Sequence, residues 1–232
     1  MLVTSNSIYL HTPKTGGMWM KYVLEPVTVQ SIEHHILQEM PSHTNVFSFV
    51  RNPWDWYVSI YLFLIDGSEK FKKTYPIKPP LIQALPDQTF TSFVSALTRS
   101  DKEFKKKAYH VYKILKQIKP AGETYLHQAI DPEGVLLSRW MEDSSSYYKI
   151  ICDAYVKPAF RVGMYEHLRH HLKEMLTICN DDTDEVVKRL LFSDRINVTT
   201  NKQDYRQYYN DETERLVAMT SKDIIDQYGY KF

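Results

Sequence analysis

Ser7–Leu24 reads SIYLHTPKTGGMWMKYVL, and three local signals follow one another in it. Ser7 to Thr12 is a short apolar, β-branched and aromatic run stopped by Pro13, which predicts a buried strand. Thr15-Gly16-Gly17 then predicts a turn. Met18 to Leu24, with Trp19, Val23 and Leu24 on one face, predicts a helix that Pro26 ends. Adjacent glycines let backbone N–H groups approach an anion, the start of a helix carries the positive end of its dipole, and Lys14 adds a full charge. The pattern is not Walker A, G-x-x-x-x-G-K-[ST], because Lys14 precedes the glycines and the first glycine of that motif is missing. Two readings stay open on these residues: a phosphate cradle, or an ordinary strand-to-helix turn with an exposed lysine.

A second element lies downstream. Asn45 to Val50 (NVFSFV) predicts another strand, after which Asn52 can cap a helix whose first position is Pro53, where a missing N–H costs nothing. Trp54, Val58, Tyr61 and Ile65 then recur at helical spacing. Arg51 ends the strand and Ser59 stands eight residues on. At ~1.5 Å per residue, Ser59 is about 9 Å along that helix, so a guanidinium reaching back and a hydroxyl can hold one phosphate. The competing reading is a capped helix with a surface arginine and a helical serine.

The rest of the chain extends the alternation. Residues 67–90 hold Gly67 and four prolines and predict a loop or lid excursion. Helical spacing returns from Thr91 and again at Phe104, Ala108, Val111, Leu115 and Ile118. Segment 101–119 carries seven lysines against two acids, but they fall off the apolar stripe and predict a solvated helix face. Residues 134–140 and 144–146 are loop-like at their edges, and Tyr155 to Tyr165 has strand composition. Further helices are predicted from near Glu166, after a Thr183 cap, and from about Asp211 to Tyr228. Strands alternating with helices predict an α/β fold in one domain over residues 1–232, with a central, mostly parallel sheet flanked by helices.

Composition narrows the function. Of 232 residues 43% are hydrophobic and 25% charged, which excludes a disordered chain. The net charge of +1 gives no bulk field for nucleic acid or a membrane surface, so any anion site is local. The apolar run Ile60 to Ile65 is far short of the roughly 18–20 residues of a membrane span, and no secretory pattern opens the chain. Cys152 and Cys179 make no disulfide or metal framework. A cytoplasmic location is the expectation.

The paired motifs resemble those of the sulfotransferases that use 3′-phosphoadenosine 5′-phosphosulfate. His11-Thr-Pro-Lys14-Thr-Gly-Gly17 looks like the family's 5′-phosphosulfate loop (HIPKTGG in carbohydrate sulfotransferases, PKSGTTW in cytosolic ones). Phe49-Val-Arg51-Asn-Pro-Trp-Asp-Trp-Tyr-Val-Ser59 looks like its 3′-phosphate motif, R-x-P followed by a serine. Arg161-Val-Gly-Met-Tyr-Glu166-His-Leu168 is similar to the family's VGRYENL stretch, and 197–230 to its C-terminal pattern. The resemblance covers most of the chain apart from about residues 67–90. It implies a P-loop-NTPase-like three-layer fold and transfer of a sulfuryl group to the hydroxyl, or less favourably the amine, of a small-molecule or carbohydrate acceptor, with no metal.

Carried over by position, the resemblance implies that Lys14, Thr15, Gly16 and Gly17 hold the 5′-phosphosulfate, with Met18 and Trp19 completing the stretch. Met18 departs from the pattern, since many relatives place a hydroxyl residue there. Arg51 and Ser59 would take the 3′-phosphate, and Lys202 and Tyr205 would close over the 3′-phosphate and adenine. The general base falls to His34 or His35, with Glu33 as the alternative. His11 reads as a strand-end packing residue, and His167, His170 and His171 as a solvated set without metal spacing. Trp54, Trp56 and Tyr57 are able to stack a base or sugar, with Trp54 expected in the core. The rival functions are a P-loop nucleotide kinase or NTPase, and a non-catalytic nucleotide-binding protein.

Overall fold

The strand that begins at Ser7 ends at Leu10 and stands in the middle of a five-stranded sheet. Its strands are β1 (Leu2–Thr4), β2 (Ser7–Leu10), β3 (Thr28–Ser31), β4 (Asn45–Val50) and β5 (Arg161–Met164), in the order β3-β1-β2-β4-β5. The computed structural model describes residues 1–32, 36–37, 45–65, 78–99, 101–118, 134–194, 196 and 203–232. β2 pairs with β4 and β4 with β5 in parallel, whereas β1 runs antiparallel to both β2 and β3. The sheet is therefore mixed rather than mostly parallel. β1 and β3 are three and four residues long, too short to show a period in the sequence.

The helices are α1 (Gly17–Leu24), α2 (Pro53–Ile65), α3 (Pro80–Gln83), α4 (Phe90–Thr98), α5 (Lys102–Ile118), α6 (Val135–Glu142), α7 (Tyr147–Tyr155), α8 (Leu168–Cys179), α9 (Asp184–Phe192), α10 (Asp211–Thr220) and α11 (Lys222–Tyr228). By its packing the chain divides into two compact units, Met1–Asn52 with Ile151–Val198, and Pro53–Ile150 with Thr199–Phe232. Among the described residues no helix is long and apolar enough to cross a membrane.

In the first unit Tyr9, Phe47 and Phe49 rise from the sheet into one core with Trp19, Met20, Val23 and Leu24 of α1, Leu168, Leu172, Met175 and Leu176 of α8, and Val186 and Leu190 of α9. Fully burying a side chain of this kind stabilises by about 1.5–3 kcal/mol, so the sheet face and these three helices hold one another. Ile8, Leu10, Val46 and Val50, which alternate with the core residues, are buried too, as parallel strands covered on both faces require. Gly163 of β5 leaves room for the Phe49 ring, whose Cε1 lies 2.4 Å from where a Cβ would stand. Thr183 caps α9 as its position before an acidic first turn predicts, its hydroxyl accepting the Val186 N–H. At the far end of β2, Thr4 and Ser7 donate their hydroxyls to buried Asp181, at 2.8 and 2.5 Å, and tie the β1–β2 turn to the end of α8.

In the second unit α2 starts at Pro53 as predicted, but it is buried well beyond a single stripe: Trp54, Trp56, Tyr57, Val58, Ser59, Ile60 and Leu64 are all inside. Trp56 and Tyr57 pack against each other and against Tyr148, so they are core rings and not a stacking platform. Part of the expected excursion at 67–90 is regular structure, since α3 buries Pro80, Leu81 and Ile82; residues 66–77 lie outside the described residues. Val135 onward is also helical, with Gly134 at φ 70° as the N-cap of α6. The helix expected over 211–228 is two, divided at Ser221. The lysine face of α5 has one exception to its exposure. Lys105 is buried, donates to the Asp143 carbonyl at 2.5 Å and lies over the Trp140 ring. Burial pulls its ammonium below the usual lysine value, with Asp143 opposing.

Candidate functional site

The carboxyl ends of β2, β4 and β5 are neighbours, and each parallel strand delivers one part of the site there, at the edge where open α/β sheets take ligands. β2 delivers the loop His11–Gly17, β4 delivers Arg51, and β5 delivers Tyr165 and Glu166. The loop is fixed from inside. Ser48 Oγ donates to the Leu10 carbonyl at 2.8 Å and lies 2.9 Å from Thr12 Oγ1, and Thr15 Oγ1 donates to the Thr12 carbonyl at 2.7 Å. Thr15 is thus buried, with its hydroxyl proton spent on the loop.

Two residues of the loop are left-handed: Lys14 at φ 67° and Gly16 at φ 83°. For glycine that conformation is free, whereas for lysine it costs on the order of 1–2 kcal/mol, a strain that persists only where the surroundings enforce it. α1 then begins at Gly17 with no capping side chain and no acidic residue in its first turn. An uncapped helix start beside a half-buried lysine is an arrangement suited to an anion. Behind it, a Cβ on Gly16 would stand 2.9 Å from Leu168 Cδ2 and 3.5 Å from Tyr165 Cε2.

His11 has a more specific place than strand-end packing. Its ring covers Gly17 so closely that a Cβ there would lie 1.8 Å from Nε2, and it tilts against Tyr9 with ring centroids 6.0 Å apart. Burial pushes the Tyr9 phenol well above its ordinary value, so the ring beside His11 stays neutral. Gly17→Ala is therefore expected to destabilise the chain by about 1–3 kcal/mol through forced displacement of the imidazole. Thermal melts check this: His11→Ala added to Gly17→Ala restores part of the loss, and a wild-type melting curve for Gly17→Ala alone would refute the overlap.

Arg51 is buried at 6% exposure. Its Nη1 donates to the Lys14 carbonyl at 2.8 Å, and its guanidinium carbon lies 4.3 Å from the centroid of the Tyr165 ring. The next residue, Asn52, donates its backbone N–H to Glu166 Oε1 at 2.8 Å. Arginine, loop and the Tyr165-Glu166 pair are thus one connected group. The last of these carried no role in the sequence beyond the similarity of residues 161–168.

The other expected residues divide as follows. Met18 is exposed at 44%, while Trp19 is buried in the core, its indole N–H donated to Ser193 Oγ at 2.8 Å and its ring under Arg169. Ser59 is buried on α2 in the second unit. Tyr205 opens a 3-10 turn there, donating its hydroxyl to the Lys231 carbonyl at 3.3 Å beneath the Arg206 guanidinium. Glu33, His34, His35 and Lys202 lie outside the described residues. Of the histidines expected in solvent, His171 Nδ1 accepts the Met164 N–H at 2.9 Å and is structural, whereas exposed His170 lies 3.5 Å from Glu174. Among the described residues no group of three His, Cys, Asp or Glu is arranged to hold a metal. Comparison with known proteins finds no matching family model, no matching curated protein and no matching solved structure.

Proposed function

We propose that the chain is a sulfotransferase that moves a sulfuryl group from 3′-phosphoadenosine 5′-phosphosulfate to an acceptor hydroxyl, on a P-loop-like nucleotide fold. The observation that carries the reading is the loop at the end of β2: left-handed Lys14 and Gly16 lead into an uncapped helix, with the Arg51 guanidinium tied to the Lys14 carbonyl. Backbone N–H groups at the start of α1 bind the 5′-phosphosulfate and Lys14 adds charge, while Arg51 binds the 3′-phosphate, a role the sequence resemblance also assigns to Ser59. The sequence resemblance assigns Tyr205 and Lys202 to the nucleotide as well. The acceptor oxygen forms a bond to sulfur as the bond from sulfur to the phosphate oxygen breaks in line with it. Lys14 stabilises the negative charge left on that oxygen, and His34 or His35, or else Glu33, takes the acceptor's proton. The product nucleotide is 3′-phosphoadenosine 5′-phosphate.

Calorimetry with that product against ATP and Mg²⁺ tests the reading. Saturable binding of the bisphosphate without metal, with ATP weaker, is expected. A preference for Mg²⁺-ATP would make the chain a kinase or NTPase, and binding of neither would leave no nucleotide enzyme at all.

A further inference from the structure

Tyr165 stands between two parts of the site that do not otherwise share an element. One face of its ring carries the Arg51 guanidinium, 4.3 Å from the centroid, and its edge lies 3.5 Å from where a Cβ of Gly16 would be. The turn that holds it is anchored on both sides. Before it, β5 is in register with β4, Met164 opposite Val50; after it, Glu166 accepts the Asn52 N–H. The ring therefore reports the position of the β4 end to the loop at the β2 end.

A long arginine side chain has rotamer freedom to lose on binding an anion. Here the Lys14 carbonyl takes one guanidinium N–H and the Tyr165 ring face lies against the group. We infer that Tyr165 is the positioning residue for Arg51: by its cation–π contact it holds the guanidinium in place before ligand arrives. This rests on the reading of the loop and Arg51 as an adenosine bisphosphate site. The energy comes from the cation–π contact, which needs an aromatic face and not the phenol oxygen.

The variants are Tyr165→Phe, Tyr165→Leu, Arg51→Ala and the double Tyr165→Leu/Arg51→Ala, all checked for folding by thermal melting. Affinity for 3′-phosphoadenosine 5′-phosphate is read by calorimetry, and the Arg51 Nε–H signal by NMR. Tyr165→Phe is expected to bind within about twofold of wild type and keep the upfield ring-current shift of Arg51, whereas Tyr165→Leu binds about tenfold more weakly and loses it. In the Arg51→Ala background Tyr165→Leu changes affinity no further. An equal loss from Tyr165→Leu in both backgrounds overturns the positioning role, because the ring would then act without the arginine. A loss in Tyr165→Phe as large as in Tyr165→Leu overturns it as well, since the hydroxyl would be the active part. No binding by the wild type overturns the nucleotide reading itself, and an Arg51 signal unmoved by Tyr165→Leu overturns the stack independently of any ligand.

Discussion

Lys14→Ala is expected to lower the turnover of sulfuryl transfer by about 10²- to 10³-fold while the chain stays folded. The size follows from the role proposed for the ammonium: it would meet charge that develops on the leaving oxygen, so its loss would fall on the transition state more than on the bound donor. Folding should be spared for a reason visible in the backbone. Residue 14 sits at φ 67°, and alanine bears the same Cβ penalty there as lysine, so the substitution neither adds strain nor relieves it. The loop's own hydrogen bonds run through Thr12, Thr15 and Ser48, and the bond from Arg51 uses the backbone carbonyl of residue 14, which alanine keeps. Steady-state rates with affinity for 3′-phosphoadenosine 5′-phosphate measured alongside check the prediction. A fall in affinity as large as the fall in rate would show that Lys14 grips the ground state and gives no special help to the leaving group.

Arg51→Ala carries the second large effect, on affinity. Charge-assisted hydrogen bonds are worth about 1.5–3 kcal/mol each, so the variant should bind the bisphosphate roughly 10- to 150-fold more weakly. Alanine also strips the Lys14 carbonyl of its donor and Tyr165 of its stacked partner. Arg51→Lys is not expected to recover the loss, because an ammonium has neither the planar face for the ring nor the fork for a phosphate. Calorimetry with the bisphosphate and with AMP, which lacks the 3′-phosphate, divides the two roles of the arginine. A loss confined to the bisphosphate means that Arg51 holds the 3′-phosphate directly; an equal loss for AMP refutes that and leaves it as a brace of the loop. Normal affinity in Arg51→Ala would remove the second motif from the site.

The legible parts of the fold are those written in neighbouring residues. β2, the turn and α1 fall where SIYLHTPKTGGMWMKYVL predicts, and α2 starts at Pro53, because an apolar run, a glycine pair and a proline at the first helical position each act over one or two turns of chain. The strand expected from Tyr155 to Tyr165 was wrong at its start for an instructive reason. Tyr155 ends α7 and residues 156–160 form the turn that follows it, where tertiary packing overrides composition; only Arg161–Met164 pair with β4. The antiparallel β1 and β3 escaped notice because three or four residues cannot display a period, and they are what makes the sheet mixed.

The sequence by itself determined the strand, the glycine turn, the helix behind it and the arginine that closes the next strand, since each is encoded by propensity and periodicity within a short window. Only the tertiary structure decided what that arginine touches. Its carbonyl partner lies 37 residues back in the chain, and the Asn52–Glu166 bond beside it joins residues 114 apart. Contacts of that range leave no spacing to be read, because they arise when β4 takes its place between β2 and β5 and brings three strand ends to one edge. The left-handed backbone of Lys14 and the ring of His11 over Gly17 belong to the same category, for neither can be read from residue spacing.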